Sequence, residues 1–372
     1  MTGNENAGLP TLTEDISKTA LREFFRDKPF VFLGTGMSCA VDSRFGMPAL
    51  TSELKRSVIV DAGNRQQSMQ WSETLESLNC GDDLETALDH VTDPQLLHTI
   101  TSATADFISG LDREFALRMS QGYVEWPAVV FFKLLVDSLP SSDSTLHVLT
   151  PNYDTLLEHS CDAHSIPYTT GFCGGLQRTI DWPTAIRSMQ YTSRVMQRRR
   201  LRTVTKDRKH IRLYKVHGSL NLFFQNNIVV ENNSWMWNAP DFTSRVMIAP
   251  GLSKFQTLQN YRRELLAYAD AAIDQANRFI FLGYGFNDSH LESYINRKLI
   301  ENSCRGIIVT RDSNVRIESL LRRSENLWLV CKMSEPNQEG TRIFNKQYSD
   351  WLVIPDKRLW DIATFTAEIL GG

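Results

Sequence analysis

The sequence predicts an α/β protein with a doubly wound parallel, Rossmann-like sheet and a helical insertion. Strand-like apolar runs alternate with helical patterns along most of the chain, which is typical of parallel sheets connected by helices. One of these runs, FVFL at residues 30–33, breaks into the glycine-rich turn GTGMS. A short apolar run that stops at glycine is expected of a strand buried on both faces of such a sheet.

The composition excludes several classes of protein. The 372 residues, with 42% hydrophobic and 22% charged side chains, can bury a substantial core and are not those of a disordered chain. A net charge of −3 gives no overall attraction to nucleic acid or to a membrane. The polar N-terminus does not resemble a secretory signal and no 18-residue apolar run occurs, so we expect a cytoplasmic protein without membrane partners.

Six cysteines are spread along the chain without a C-x-x-C pair or a close Cys/His cluster. This spacing indicates neither a disulfide scaffold nor a zinc ribbon. We therefore expect reduced thiols and no metal site.

The turn after residues 30–33 has the sequence pattern of a phosphate loop. Gly34 and Gly36 lack a Cβ, so the backbone can turn sharply and a pyrophosphate can approach its N–H groups at the start of a helix. The match to the dinucleotide fingerprint is partial, because Cys39 stands at the third glycine position. The alternative interpretation is a tight strand-to-helix turn without a ligand.

The elements before the middle of the chain are mostly helical. Residues 13–26 predict a helix capped by Thr13, and residues 82–140 predict a helical insertion. Residues 49–63 read either as one helix or as a helix followed by a strand that ends at Asp61. In a dehydrogenase an acidic residue at that distance from the glycine turn holds the adenosine ribose.

A second strand-to-helix crossing follows at residues 145–160. Its polar turn places Asn152 and Asp154 after a β-rich run, at the edge of a parallel sheet where ligands bind. The alternative is that both residues cap the next helix. Residues 161–210 read as irregular.

Residues 198–212 hold eight Lys and Arg against Asp207, a local charge of +7. Such a run can bind phosphate, but this one contains no interleaved aromatic residues to stack bases. A solvated hairpin or a surface that faces a partner is the favoured interpretation.

Two further strand ends carry candidate site residues. His217 follows a β run at residues 212–216 and is a candidate general base, with a structural histidine as the alternative. The strand at residues 278–283 runs into GYGFND, which ends in Asn287 and Asp288 at a helix start. Later runs predict a helix at 257–277, strands at 246–250, 305–310 and 327–330, and a closing helix at 359–370.

Four stretches, taken together and in order, resemble the sirtuin (silent information regulator) family. They are GTGMS with Gly46-Met47-Pro48 after it, TPNYD, VHGS and GYGFND. The resemblance implies a phosphate loop, ribose and nicotinamide contacts, a general base and further NAD-binding residues. In that order these are Gly34, Thr35, Gly36 and Ser38; Asn152 and Asp154; His217; and Gly218, Ser219, Gly283, Tyr284 and Asp288.

The resemblance also implies a domain organisation. Residues 1–295 would form the sirtuin-like NAD-binding domain with its insertion. Residues 296–372 would supply the remaining strands and the C-terminal helix of the same globule.

The departures from the family narrow the implied activity. Protein-deacylating sirtuins carry a zinc module of paired C-x-x-C and an Asp-Phe-Arg where this chain has Ala49-Leu50-Thr51, which argues against a peptide-binding groove. The remaining family activity is hydrolysis of NAD, with NAD as substrate and no zinc. In this respect the chain is similar to NAD-depleting effectors of bacterial antiphage defence, and its size resembles the member that works with a HerA-type hexameric ATPase.

That similarity implies a homo-oligomer and a protein partner, with nucleic acid engaged only indirectly. Three alternatives remain open at this point: an NAD-dependent dehydrogenase, a protein deacylase, and a non-catalytic module that senses NAD or ADP-ribose.

Overall fold

The computed structural model describes residues 8–61, 63–197, 200–226, 228–248, 266–287, 289–333 and 339–371. The strands in these ranges are β1 (Phe30–Leu33), β2 (Thr145–Thr150), β3 (Tyr168–Thr169), β4 (Phe172–Gly174), β5 (Arg178–Ile180), β6 (Gln190–Gln197), β7 (Arg200–Asp207), β8 (His210–Lys215), β9 (Gly218–Gln225), β10 (Ile228–Glu231), β11 (Ser244–Met247), β12 (Arg278–Leu282), β13 (Arg305–Val309), β14 (Leu327–Lys332), β15 (Gly340–Asn345) and β16 (Leu352–Pro355).

The helices in the same ranges are α1 (Glu14–Phe24), α2 (Thr35–Cys39), α3 (Met47–Ser57), α4 (Arg65–Cys80), α5 (Leu84–Leu88), α6 (Pro94–Ser120), α7 (Val129–Ser138), α8 (Leu156–Ala163), α9 (Trp182–Ser188), α10 (described over 266–275), α11 (Ser289–Asn296), α12 (Val315–Arg323) and α13 (Ile362–Phe365). Short 3₁₀ turns lie at Ser43–Phe45 and Asn233–Trp235, and π-helical turns at Arg297–Glu301 and Thr366–Leu370.

The central sheet has nine strands in the order β16-β15-β14-β13-β12-β1-β2-β8-β3. Pairing is parallel from β14 across to β3, and β15 and β16 add antiparallel strands at one edge. From β1 the chain builds β2, β3 and β8 on one side and then returns to build β12, β13 and β14 on the other. The prediction of a doubly wound sheet is confirmed, and its topological switch point lies between β1 and β12.

Strand β1 is buried along its whole length because both faces of the sheet are covered. On one face Phe30 and Phe32 pack with Phe279 and Phe281 of β12, and the rings of Phe32 and Phe281 stack at 4.9 Å. On the other face the apolar residues of β1 pack against the helical layer that includes α1, α6, α7 and α8. The alternation of faces along four residues explains why this run contains only large apolar side chains.

A close backbone approach joins the turns after β1 and β12. Leu33 pairs with Leu282, the N–H of Gly34 donates to Leu282 O at 2.9 Å, and the N–H of Gly36 donates to Gly283 O at 3.0 Å. A Cβ on Gly34 would lie 2.4 Å from Gly283 O, and a Cβ on Gly36 would lie 2.7 Å from Gly283 Cα. The glycines of the β1 turn therefore allow two backbones to touch, a role that the phosphate-loop reading does not include.

The predicted helical insertion contains α5, α6 and α7 and packs next to α3 and α4. Helix α6 has 27 residues and spans about 40 Å. Its first part joins a separate apolar cluster with α3, α4 and α5, and its second part joins the cluster beneath the central sheet. One helix thus connects the insertion to the core. Within the described ranges, no helix is long and apolar enough to cross a membrane.

The expectation of an irregular segment at 161–210 is wrong. This part of the chain forms β3, β4, β5, α9 and the hairpin β6–β7, and β4 and β5 join a five-stranded antiparallel sheet ordered β11-β9-β10-β5-β4. Strands β3 to β5 have only two or three residues each, which is too short for apolar alternation to register in the sequence.

The alternative that placed a strand before Asp61 is also wrong. Helix α3 ends at Ser57, and the described residues 58–61 form no strand. Leu54 and Val58 belong to the helical apolar face that packs on the insertion. Asp61 accepts a hydrogen bond from the N–H of Gly63 at 2.9 Å in a local turn. The ribose-binding position of a dehydrogenase is therefore not formed here.

The later elements follow the expected order with shifted bounds. The predicted helix at 257–277 is described only from 266, where α10 begins in the described chain. Strand β11 starts two residues before the predicted one, and the closing helix divides into α13 and a π-helical turn.

We expect Gly36→Ala to lower the free energy of unfolding by about 1–3 kcal/mol, because its Cβ would meet the backbone of Gly283. Gly110→Ala is the matched control, since Gly110 also lies in a helix but a Cβ there meets nothing within 4 Å. The control should gain about 0.5–1 kcal/mol from reduced freedom of the unfolded chain. Denaturant unfolding of both variants measures the difference, and equal effects would contradict the close backbone contact.

Candidate functional site

A cavity of about 340 Å³ opens at the switch point, above the carboxyl ends of the central strands. Its volume lies in the range of about 300–1,000 Å³ that is common for ligand pockets. The lining comes from the turns after β1, β2, β8 and β12 and from the helical insertion. The lining residues are Gly34, Thr35, Phe45, Met47, Leu50, Asp83, Leu84, Glu85, Ile108, Pro151, Asn152, Tyr153, Asp154, His217, Gly283, Tyr284, Gly285 and Asn287.

Hydrogen bonds join the first two turns side chain to side chain. The Asn152 amide donates from Nδ2 to Ser38 Oγ at 3.0 Å, and Ser38 Oγ donates to Asp154 Oδ2 at 2.7 Å. Thr35 Oγ1 donates to Asn152 Oδ1 at 3.3 Å. The amide and the carboxylate are thus held in fixed orientations by hydroxyl groups of α2.

The hydroxyl group of Thr150 positions the turn after β2 relative to β1. Thr150 Oγ1 donates to Leu33 O at 2.8 Å and accepts from the N–H of Asn152 at 3.0 Å. One hydroxyl at the end of β2 therefore links the end of β1 to the residue that enters the cavity. Asn152 itself is only 8% exposed.

The surroundings of Asp154 disfavour the ionised form of its side chain. Part of the residue faces the cavity, but the carboxyl group is removed from bulk solvent, and this burial raises its pKa from 3.8 to about 6. The positive charge of Lys215 and the hydrogen bond from Ser38 act in the opposite direction and limit the shift. Perturbed carboxyl groups in clefts are typical of functional sites.

A buried ion pair supports the same turn from behind. Lys215 at the end of β8 donates to Glu158 Oε1 of α8 at 2.8 Å and also to the backbone oxygen of Asp154. Both charged residues are less than 10% exposed. Because removal of one partner would leave a charge buried without compensation, the pair fixes the relative position of β8 and the Asp154 turn.

His217 lies in the turn between β8 and β9 and lines the cavity. Its carbonyl oxygen accepts from the N–H of Ile248 at 2.9 Å, which ties the turn to β11. Gly218 follows with φ +84°, and a Cβ there would lie 1.9 Å from Val246 O. Only glycine fits this position, so the VHGS motif places the histidine ring by means of a close contact between two strands.

The supporting role of Asp112 beside the site was not predicted from the sequence. This residue of α6 is fully buried and accepts from the Thr155 N–H at 2.6 Å, from the Thr155 hydroxyl and from Trp237 Nε1 at 3.0 Å. It therefore caps α8 from a distant helix, directly after Asp154. The signal in the sequence is an acidic residue on the apolar face of an amphipathic helix, between Ile108 and Phe115.

His159 completes the buried cluster around Asp112, with Nε2 3.5 Å from Oδ2. Burial by itself would raise the pKa of Asp112, but the positive charge of nearby His159 and the hydrogen bonds from Thr155 and Trp237 hold it below its ordinary value. Burial would lower the pKa of His159, and Asp112 raises it instead. The two shifts agree and describe an ion pair that anchors the insertion beside the cavity.

One wall of the cavity, formed by the 3₁₀ turn before α3 and by α3, α5 and α6, was not predicted from the sequence. Its apolar part consists of Phe45, Met47, Leu50, Leu84 and Ile108. Two acidic residues, Asp83 and Glu85, lie beside it at the start of α5. These residues carry no motif, and only the packing of α3, α5 and α6 brings them to the cavity.

The structure brings together most of the sequence-predicted site residues. Those that line the cavity are Gly34, Thr35, Asn152, Asp154, His217, Gly283 and Tyr284. Four others lie behind its wall, where they pack or donate hydrogen bonds: Gly36, Ser38, Gly218 and Ser219. Asp288 lies outside the described residues.

The described residues hold no group of three His, Cys, Asp or Glu side chains placed to bind a metal ion. The cysteines of these residues are free thiols, and burial raises the pKa of Cys39, the one closest to the glycine turn.

The fold and the cavity define an α/β protein with a candidate ligand site at the switch point of a doubly wound sheet. Residues 146–330 match the family described as the SIR2-like domain, and this region contains the TPNYD, VHGS and GYGFND stretches. No curated protein matches the chain.

Two solved structures align with most of the chain. One is a complex of a mutant Sir2 homologue with 2'-O-acetyl ADP ribose, 14% identical, with a TM-score of 0.36, covering 85% of this chain and 90% of that chain. The other concerns the mechanism and regulation of Sir2 enzymes and is 13% identical, with a TM-score of 0.34, covering 84% of this chain and 91% of that chain. Neither likeness bears on the reaction of this chain.

We expect Asp154→Asn to stabilise the protein at pH 8. The folded protein holds the pKa of Asp154 above the value of the unfolded chain, so ionisation favours unfolding as the pH rises through about 6. The asparagine removes that cost and can still accept from Ser38 Oγ. Thermal unfolding at pH 8 should show a gain of a few degrees, which disappears near pH 4 where the wild-type carboxyl is largely protonated. An equal change at both pH values would contradict the raised pKa.

Proposed function

We propose that this protein is an NAD⁺ glycohydrolase that cleaves NAD to ADP-ribose and nicotinamide. The observation that supports this most directly is the convergence of Asn152, Asp154 and His217 on one cavity beside the glycine turn. The match of residues 146–330 to the SIR2-like domain supports NAD as the substrate.

The cavity suits a ligand with a ribose, a phosphate and a flat ring. Among the lining residues that the structure describes there is no Lys or Arg. In the glycine turn the N–H groups of Gly34 and Gly36 donate to the β12 turn, so the Thr35 N–H and hydroxyl at the start of α2 are the groups that would hold a pyrophosphate. The apolar wall from α3, α5 and α6 offers a surface for a flat ring, and Tyr284 lies on the β12 side.

The reaction breaks the bond between C1′ of the ribose and the nicotinamide nitrogen, which leaves with the electron pair. Positive charge develops on the ribose, and carboxylates at the cavity stabilise that charge. A water oxygen then bonds to C1′, and His217 accepts the proton that the water releases. The atoms balance as NAD⁺ plus water giving ADP-ribose, nicotinamide and a proton.

Asn152 and Asp154 act by position in this scheme. The Asn152 amide, oriented by Thr35 and Ser38, holds the water or a ribose hydroxyl. The ionised Asp154 accepts from the nicotinamide carboxamide. Since both are fixed before the substrate arrives, little reorganisation is needed at the moment of reaction.

Chromatography of NAD incubated with the purified protein tests the proposal. We expect equal amounts of nicotinamide and ADP-ribose without added peptide, and incorporation of oxygen from labelled water into ADP-ribose. Formation of NADH with a reductant would support a dehydrogenase instead. A requirement for an acetylated lysine peptide would support a deacylase, and tight binding without turnover a sensing module.

We expect His217→Ala and Asn152→Ala each to lower kcat by about 10²- to 10⁴-fold while the melting temperature changes little. His210→Ala is the matched control, because His210 is a buried histidine at the opposite end of the same strand region. That control should lower the melting temperature and keep NAD cleavage. Retained cleavage in His217→Ala would refute the assignment of the base.

The proposal includes a role in antiphage defence through NAD depletion, in a homo-oligomer that works with a HerA-type ATPase. The support is the motif resemblance and the harm that unrestrained NAD hydrolysis does to a cell. We expect light scattering to show a multimer, and NAD cleavage to change when the ATPase is added. A strictly monomeric enzyme, equally active with and without the ATPase, would overturn this part and leave the hydrolase activity intact.

A further inference from the structure

The hairpin β6–β7 stands apart from both larger sheets. Its two strands pair antiparallel from Gln190↔Asp207 to Gln197↔Arg200 and form a sheet of their own. Nearly every described side chain of β7 is exposed. An isolated two-stranded ribbon is marginal in water, and this one buries little against the rest of the protein. Its sequence is therefore not explained by packing.

The charge of the hairpin is concentrated and uncompensated. Residues 190–209 contain eight Lys and Arg and one Asp, a net charge of +7, whereas the whole chain has −3 and the remainder is therefore −10. Among the described residues, no carboxylate lies within ion-pair distance of Arg194, Arg200, Arg202 or Lys206, although many other basic residues have such partners. Four cations on an exposed ribbon without counter-charges point to an anionic ligand from outside the described chain.

The register arranges three of these cations along one face. Arg200, Arg202 and Lys206 are separated by even numbers of residues on β7, so their side chains leave the same side of the ribbon. They extend over about 20 Å, at roughly 3.3 Å per residue. Duplex DNA carries a phosphate every ~3.4 Å of each strand, so a cationic row of this length contacts several phosphates at once.

The shape and composition of the ribbon favour a duplex over a single strand. A two-stranded β-ribbon fits the B-DNA major groove, which is about 12 Å wide. A single-stranded ligand needs successive aromatic side chains for its bases, and the described hairpin offers only Tyr191, opposite Lys206. At the far end Met196 pairs with Leu201, and both are more than half exposed. Proteins that bend a duplex insert apolar side chains of this kind between base steps.

We propose that the β6–β7 hairpin is a binding arm for double-stranded nucleic acid, held mainly through the phosphate backbone. The acidic remainder of the chain confines contact with a polyanion to this arm. The sequence alone allows a phosphate-binding role for this run and favours a solvated hairpin or a surface that faces a partner. The unpaired cations and their common face now favour the phosphate ligand. The inference does not depend on NAD hydrolysis.

Fluorescence anisotropy with a labelled DNA duplex of about 20 base pairs, two helical turns, tests the arm. The full chain is titrated without NAD. Contacts from the three cations on one face predict a slope of about −2.7 in log K against log salt, or a roughly 40-fold loss of affinity between ~50 and ~200 mM salt. Arg200→Glu with Arg202→Glu and Lys206→Glu should weaken binding at least tenfold and reduce the slope by about 3.

The matched control reverses three exposed arginines elsewhere, Arg26→Glu with Arg322→Glu and Arg323→Glu, and so changes the net charge by the same amount. It should bind the duplex within about twofold of wild type, since these residues lie outside the row of cations. Equal losses in the two triple variants would overturn the proposal, because net charge alone would then explain binding. Absence of duplex binding by wild type at ~50 mM salt would overturn it too.

A polyglutamate peptide separates nucleic acid from an acidic protein partner. We expect the duplex to bind more tightly than the peptide, and we expect Met196→Ser with Leu201→Ser to weaken duplex binding several-fold without a change in slope. Equal or tighter binding of the peptide, lost in the hairpin triple variant, would overturn the nucleic-acid assignment and identify an acidic protein surface as the ligand. The melting temperature of each variant confirms that the fold is retained.

Discussion

The contact between the turns after β1 and β12 is the constraint on which the site depends. Parallel strands leave a crevice at the switch point only if their carboxyl ends stay close while the chains turn to opposite sides. Here the closeness comes from backbone on backbone, with Gly36 donating to Gly283 and no Cβ between them. Because this contact between the two turns is fixed, Thr35 and Ser38 of α2 lie next to the turn after β2. A side chain at Gly36 or Gly283 would separate the turns after β1 and β12 and move both hydroxyl groups.

Buried charge then fixes the polar residues that this contact between the two turns brings together. Asp154 lies between two supports, the Lys215–Glu158 pair behind its backbone and the Asp112–His159 pair next to Thr155. Each pair is shielded from water to a large extent. A buried ion pair contributes less net stability than apolar packing in its place would. Their value is geometric, since a pair that must stay together holds β8, α6 and α8 in one arrangement. The raised pKa of Asp154 is the cost of placing a carboxylate within that arrangement.

The sequence contained the parts of this structure that arise from local patterns. The apolar run at 30–33, the turns after β2 and β12 and the position of His217 follow from strand-like runs that end in glycine or polar residues. The parts that it did not contain arise from contacts between distant segments. Asp112 of α6 accepts from Thr155, 43 positions later in the chain, and so supports the site from behind. Gly34 contacts Gly283, which is separated from it by most of the chain. The apolar wall of the cavity is likewise a product of how α3, α5 and α6 pack.

The shortness of some strands also limited the prediction from sequence. A strand of two or three residues is too short to show an alternation of apolar and polar side chains. The hairpin shows the opposite case, because its charge was evident in the sequence and its geometry was not. The +7 run predicts a solvated hairpin or a surface that faces a partner. The register adds that Arg200, Arg202 and Lys206 share one face, where no carboxylate of the described residues pairs with them. The cavity and the hairpin therefore obey different electrostatics. Behind the cavity the charges of Lys215 with Glu158 and of Asp112 with His159 are paired, so they position their neighbours at short range. On the hairpin they are exposed and repelled by one another, a state that favours association with any dense row of negative charge, since binding releases counterions and relieves the repulsion.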